Sequence, residues 1–340
     1  MALRLLGENL SDKYVHRSLP ESFVDLTGRV VIVTGSNTGL GLEAVKMFYK
    51  MNPARLIMAV RTVSKGESAR QQVLQQQTRM KSGTSVEVWQ LDMSSFASVK
   101  QFAQRCYDEL ERIDIFLANA GTQSDEWGVT TDGWENTLQI NVLSTHLLTL
   151  LVHDKLVRTA RLPPPKVGVN FKPHLVIVSS GVHLVAPFKD KNQANIFAAL
   201  NTESRYVQGD RYFDSKLLEI LITRHISKIP KFSQEASGVV MCTVNPGFCR
   251  SELMRRSPSA AIAVVGTLLM RPAREGAKAI VWACLDNNIT QGAYTSNCAI
   301  DAVSKFVRSK EGDDVSRKLW NELVVILDTV APERQEAWKV

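Results

Sequence analysis

Short apolar, β-branched runs alternate with amphipathic stretches along most of the chain. Runs at 29–33, 55–60, 86–91, 113–118, 174–178, 239–244 and 292–295 read as strands buried on both faces. Between them lie segments with apolar residues at helical spacing: Leu42, Val45, Phe48 and Tyr49 in 42–51, and Phe96, Val99, Phe102 and Ala103 in 96–109. Helices are also predicted over 65–81, 134–156, 212–229, 272–285 and 314–330, the last with Leu319, Leu323, Ile326 and Leu327 on one face. Strand and helix alternating from end to end predict a doubly wound, mainly parallel α/β sheet covered on both faces. Residues 1–26 read as an N-terminal extension, 27–330 as a single domain and 331–340 as a tail. Two irregular excursions, 182–211 and 250–271, interrupt the pattern.

Composition narrows the class of protein. At 340 residues, 44% hydrophobic and 22% charged, the chain can bury a full core. Its net charge of +7 suits an anionic small ligand. The basic residues are scattered, so the clustered stripe expected of a nucleic-acid binder is missing. Cysteines 106, 242, 249, 284 and 298 are odd in number and contain no C-x2-C pair, which argues against a disulfide framework or a zinc site. A reducing, cytoplasmic setting fits. The most apolar window, 259–270, is about twelve residues long, well short of the ~20 that span a bilayer. Flanked by Arg255, Arg256 and Arg271, it leaves peripheral membrane contact open.

In such a sheet, ligands sit at the carboxyl ends of the strands, at the point where strand order reverses. The first strand delivers Thr34-Gly35-Ser36-Asn37-Thr38-Gly39-Leu40-Gly41 there, followed by a helix. Strand, glycine turn and helix aim backbone N–H groups at a pyrophosphate, as in Rossmann-type folds. The spacing here is G-x3-G-x-G, and taken alone the turn also fits an ordinary tight connection. The second strand ends in Val60-Arg61, about twenty residues on, where an NAD enzyme places an acid on the ribose hydroxyl. Val60 cannot do this, whereas Arg61 can pair a 2′-phosphate, with Lys65 adding charge. This favours NADP(H), the alternative being a surface arginine that opens a loop. Asp92 and Met93 follow the third strand, with Asp92 suited to an adenine amino group or to capping the next helix. The fourth strand delivers Asn119-Ala120-Gly121, the fifth Ser179 and Ser180, and the sixth Pro246-Gly247. Tyr212 and Lys216 lie four apart on a predicted helix and share a face. A nearby ammonium favours the phenolate and lowers a tyrosine's pKa toward the range of general acid–base work.

Together these residues resemble the short-chain dehydrogenase/reductase superfamily, from about Leu26 to Leu327. The motifs are T-G-x3-G-L-G at Thr34 to Gly41, Asp92, Asn119-Ala120-Gly121, Asn141, Ser180, Tyr212-x3-Lys216 and Asn245-Pro246-Gly247. Ala59-Val60-Arg61, Ser-Lys-Leu-Leu-Glu at Ser215 to Glu219 and Gly-Ala-Tyr-x-Ser-x-Cys at Gly292 to Cys298 are similar to the retinol-dehydrogenase-like branch and its fungal members. The resemblance implies hydride transfer between NADP(H) and a carbonyl/alcohol pair. It casts Ser180 as hydrogen-bonding the carbonyl oxygen and Tyr212 as the proton donor or acceptor. Lys216 would tune Tyr212 and hold the nicotinamide ribose, and Asn141 would position a water. Gly35 to Gly41, Arg61, Lys65, Asp92, Met93, Asn119, Ala120, Gly121, Pro246, Gly247 and Ser251 would line the cofactor.

Three positions depart from the family pattern. The Ser180–Tyr212 gap is wide, Ser251-Glu252-Leu253 stands where many members carry Thr, and Pro163-Pro164-Pro165 opens an inserted loop. His146 and His153, seven apart on one helix, lack a third partner in a metal-ligand pattern and read as packed histidines. If 250–271 is a lid, its apolar content predicts an apolar small-molecule substrate, with a secondary metabolite as one candidate. An idle NADP(H)-sensing or scaffold protein, or an isomerase or cyclase on the same fold, remains as an alternative, and a homo-oligomer is compatible with the sequence.

Overall fold

A computed structural model describes residues 18–75, 83–165, 171–249 and 270–339. Strands β1 (Val30–Thr34), β2 (Arg55–Val60), β3 (Ser85–Gln90), β4 (Ile115–Ala118), β5 (His174–Val178), β6 (Val240–Asn245), β7 (Ala293–Ser296) and β8 (Ala299–Ile300) form one sheet. Their order is β3-β2-β1-β4-β5-β6-β7-β8. All neighbours pair in parallel except β7 with β8. β1, β4, β5 and β6 are buried at every position, which explains runs of Val and Ile without alternation.

Helices α1 (Gly39–Lys50), α2 (Val63–Gln75), α3 (Phe96–Glu109), α4 (Ser144–Arg161), α5 (Asp210–Ile226), α6 (Ala273–Ala283) and α7 (Lys310–Val330) cover the sheet. Val45, Phe48, Ala277 and Ile280, from α1 and α6, pack on one face with Val31, Val33 and Val244. The other face takes α3, α4 and α5. α7 lies over α5 in turn, so α5 is buried almost all round and shows no single apolar stripe.

The structure refines several boundaries. The helix expected over 134–156 begins as a π-helical turn, Leu138–Leu143, before α4 runs on to Arg161. The 182–211 excursion contains helical turns at Gly181–Val185, Ile196–Leu200 and Glu203–Arg205. α7 starts earlier than the apolar period suggests, because Ser309 caps it by accepting from Gly312 N at 3.1 Å. β8 was not expected. Asn297 and Cys298 both take positive φ, 52° and 58°, and this pair turns β7 back on itself. From the extension, Leu19 is held against α6: its N–H donates to Glu275 Oε2 at 3.1 Å and its carbonyl accepts from Lys278 Nζ at 3.0 Å. Most of the extension, the centre of the inserted loop and 250–269, including Ser251, lie outside the described residues.

The fourth strand starts at Ile115 rather than 113 because Asp114 has another task. Its buried carboxylate accepts from Val30 N at 2.9 Å, takes both prongs of Arg112 at 2.8 and 2.7 Å, and lies 3.9 Å from Arg29 Nε. It thus ties the entry of β4 to the entry of β1. Removing one partner of a buried ion pair leaves the other uncompensated, so Asp114→Ala should lower stability by about 3–5 kcal/mol. A urea titration should show the lowered midpoint, with a smaller drop for Asp114→Asn, which keeps an acceptor for Val30 N–H.

Candidate active site

The chain reverses direction across the sheet between β1 and β4, and the turns leaving these two strands are locked together. Thr34 Oγ1 accepts from Asn119 N at 3.0 Å and from Ala120 N at 2.9 Å. Asn119 Nδ2 donates to the carbonyls of Thr34 and Gly35 at 2.8 and 3.2 Å. Glycine is required where the turns meet. At Gly35 (φ +62°) a Cβ would stand 2.8 Å from Ala120 Cα, and at Gly41 it would stand 2.6 Å from the Gly35 carbonyl and 2.5 Å from Asn119 Nδ2. Two features leave this cradle unsatisfied from within. Thr38, at the N-terminus of α1, makes no side-chain cap, and the buried Ser36 Oγ has no hydrogen-bond partner. Uncapped helix amides beside an orphaned hydroxyl fit a phosphate. Asn37 and Gly39 are half-buried at the same turn, while Leu40 packs on the α6 side, against Gly276.

Past β2, Arg61 and Lys65 are exposed, and neither has a hydrogen-bond or ion-pair partner among the described residues. Past β3, Asp92 is partly occupied: Oδ1 accepts from Ser94 N at 2.9 Å and Ser94 Oγ at 2.7 Å. The cap of α3 is Ser95, not Asp92. Met93 is buried in the core, so only its backbone can face a ligand.

β5 ends in two serines that point to opposite sides, as strand alternation dictates. Ser179 Oγ is buried and donates to the Lys216 carbonyl at 3.0 Å. Ser180 is half-buried, its Oγ accepts from Val182 N at 3.3 Å, and it neighbours the Tyr212 phenol. One turn along α5, Lys216 Nζ donates to the Val178 carbonyl at 2.9 Å and to Glu219 Oε1 at 2.8 Å, and lies 5.7 Å from the centre of the Tyr212 ring. A Cβ on Gly121 would be 3.6 Å from Lys216 Nζ and 3.3 Å from Asn141 Oδ1, so these groups surround one small space. Asn141 sits in the π turn. Its Nδ2 donates to the Thr122 carbonyl and to Ser215 Oγ, both at 2.9 Å, and its Oδ1 accepts from Thr122 N at 2.8 Å. The carboxamide therefore splices the exit of β4 to α5, and its side-chain oxygen is already engaged with backbone. After β6, Pro246 and Gly247 (φ +83°) form a turn in which Asn245 Oδ1 accepts from Gly247 N at 3.0 Å.

Electrostatics at this site differ from the simple tyrosine–lysine expectation. Burial, helped by the Glu219 carboxylate, pushes the Tyr212 phenol above its usual value, and this outweighs the downward pull of Lys216 and of the Ser180 hydroxyl. Burial also pulls Lys216 down, but the Glu219 carboxylate and Tyr212 more than restore it, leaving it above the usual lysine range. Burial pushes the Glu219 carboxyl up to about 7, against the pull of Lys216. Both histidines of α4 are buried. His146 Nδ1 lies 2.8 Å from the Val142 carbonyl, and burial drives both His146 and His153 down to about 4. Among the described residues no group of three side chains could hold a metal.

The structure thus brings Ser180, Tyr212, Lys216, Asn141 and Gly121 together beside the cradle, with Arg61 and Lys65 beyond its far edge. Two participants escaped the sequence reading. Glu219 was legible in principle, three residues past Lys216 on the same helix. Thr34 was not, because its task depends on where β4 ends.

A family profile described as short chain dehydrogenase matches residues 29–161. The short chain dehydrogenase/reductase dmxR8 of Cryptosporiopsis sp. is 35% identical over 320 residues, covering 93% of this chain and 95% of the relative. The short chain dehydrogenase sol3 of Alternaria solani is 36% identical over 283 residues, covering 83% and 93%. Among solved structures, a protein from Mycobacterium paratuberculosis superposes with a TM-score of 0.63 at 22% identity, covering 92% of this chain and 96% of that one. A short chain dehydrogenase from Shigella flexneri, complexed with NADP, gives 0.56 at 18% identity, covering 81% and 99%. The chain belongs to the short-chain dehydrogenase/reductase family, an oxidoreductase family that works with a nicotinamide cofactor.

The uncapped α1 terminus and the crowded glycines fit such a dinucleotide. Gly41→Ala puts a methyl group into backbone that cannot move aside, so it should weaken nicotinamide dinucleotide binding by at least about tenfold, or ~1.4 kcal/mol. A fluorescence titration of the reduced dinucleotide reads this, and an unchanged Kd would dissociate the turn from the cofactor.

Proposed function

We propose that this protein is an NADP(H)-dependent oxidoreductase that interconverts a carbonyl and an alcohol on an apolar small molecule. Ser180, Tyr212, Lys216 and Asn141 form its reacting set. The observation that carries this reading is the Tyr212 phenol, beside Ser180 and one helical turn from the Lys216 ammonium, at the strand ends next to an uncapped phosphate cradle.

When bound, the nicotinamide supplies or accepts the hydride. The protein's part is to hold and protonate the oxygen. Ser180 Oγ donates a hydrogen bond to the substrate carbonyl, and the Tyr212 phenol delivers its proton to the same oxygen as negative charge develops there. Lys216, held charged one turn away, stabilises the phenolate left behind. Asn141 fixes the exit of β4 and α5 in register, which holds Gly121 beside Lys216. Arg61 and Lys65, exposed and without partners among the described residues, would receive the 2′-phosphate that distinguishes NADP(H) from NAD(H). Two exposed apolar side chains support an apolar substrate: Leu184, four residues past Ser180, and Phe248, next to Gly247.

Burial holds Tyr212 above its ordinary value, so the phenol is protonated at neutral pH and ready to donate. Reduction should hold steady through neutral pH and decline only above about 10, whereas oxidation, which needs the phenolate, should rise over the same alkaline range. Nicotinamide absorbance against a panel of apolar ketones and aldehydes tests the function. Tyr212→Phe should cut kcat by about 10²–10⁴-fold, and turnover that survives this change removes the mechanism. Arg61→Ala should shift the preference for NADPH over NADH by about tenfold or more, ~1.4 kcal/mol, read as the ratio of kcat/KM values.

A further inference from the structure

Glu219 has no part in the chemistry above, yet its surroundings are demanding for a carboxylate. It is 2% exposed, Oε1 accepts from Lys216 Nζ, and Oε2 is buried without a hydrogen-bond partner. Lys216 is 5% exposed. Of its three N–H groups, one goes to Glu219 and one to the Val178 carbonyl. The remaining donor is left for the side of the ammonium facing Gly121 and the Tyr212 ring. Just past β5, the neutral Ser179 hydroxyl donates to the Lys216 carbonyl and also favours the ionised Glu219 carboxylate. Glu219 is the one ion-pair partner of Lys216 among the described residues.

An ammonium withdrawn from water without a counter-charge sheds its proton. Lys216 escapes this because a carboxylate touches it. Glu219 also opposes the Tyr212 phenolate, but it lies seven residues along α5 from Tyr212, about 10 Å of helix axis. Its hold on the ammonium at 2.8 Å is the stronger effect. We propose that Glu219 is a positioning residue for the reaction: it keeps the buried Lys216 ammonium charged and aimed at Tyr212, where the phenolate forms. Above neutral pH the carboxylate is ionised and the pair is complete. This rests on the proposed roles of Tyr212 and Lys216.

The test has an arm that needs no substrate. Protein labelled with 13C at the lysine Cε is titrated by NMR, with the Lys216 signal assigned by its loss in Lys216→Met. In the parent, Lys216 should stay charged through pH 10. In Glu219→Gln, which keeps the shape and loses the charge, its midpoint should fall by about two units or more. Glu219→Asp, which keeps a carboxylate, should stay within about one unit of the parent. In turnover assays, Glu219→Gln should lose kcat progressively from pH 7 to 9.5 while the parent does not, with KM changed less than about threefold. A Lys216 that remains charged through pH 10 in the Gln variant overturns the proposal. So does an Asp variant that shifts as far as Gln, or a Gln variant whose loss is the same at every pH. Should Glu219→Gln not fold, the Asp variant still decides through its own midpoint and pH profile. Turnover that survives Tyr212→Phe would instead remove the reaction mechanism and leave the lysine titration intact.

Discussion

The reactive end of this molecule depends on the seam between β1 and β4. There the chain, having built the sheet outward to β3, returns and builds it the other way. At that seam Thr34 and Asn119 exchange hydrogen bonds through side chain and backbone, drawing the glycine turn and the Asn119-Ala120-Gly121 turn into contact. The contact is close enough that neither Gly35 nor Gly41 could carry a Cβ. Among the described residues the α1 N-terminus has no side-chain cap and the buried Ser36 Oγ no hydrogen-bond partner, and an anionic ligand is what such a site lacks.

A second constraint comes from burying polar groups on α5. Because the sheet covers this helix on one side and α7 on the other, its Lys216 and Glu219 are withdrawn from bulk water and its Tyr212 is half-buried. Burial alone would neutralise the lysine and the carboxylate and keep the phenol protonated. The lysine stays charged chiefly because the carboxylate is in contact with it, with a smaller contribution from Tyr212, and the phenol stays protonated because burial outweighs one cation. The same withdrawal from water makes each charge count for more at the place where a substrate oxygen would change its own.

The π turn at Leu138–Leu143 belongs to the same arrangement. It offsets Asn141 from the regular helical face, so that its carboxamide meets both the Thr122 backbone and Ser215 beside Lys216. Strand ends, π turn and buried helix therefore converge on one small volume, each held by hydrogen bonds that close elsewhere in the fold.

Much of this was readable in the chain before any coordinates. Uninterrupted apolar runs marked the interior strands, helical periods marked α1, α3 and α7, and chain order placed Ser180 ahead of Tyr212 and Lys216. These features are local, set by side-chain shape and by a spacing of two or 3.6 residues. Other features needed the tertiary structure: Asp114 as an anchor rather than a strand residue, the π turn, the β7–β8 hairpin, Ser95 instead of Asp92 as the cap of α3, and the net upward shift of Tyr212. Each depends on what another segment brings alongside, in partners far apart in sequence or in burial that no single stretch contains. Glu219 lies between these cases, since its spacing from Lys216 is written in the sequence. Only the packing of α5 between sheet and helix decides that the pair is dry, and dryness is what turns a common i,i+3 ion pair into a control on the lysine's charge.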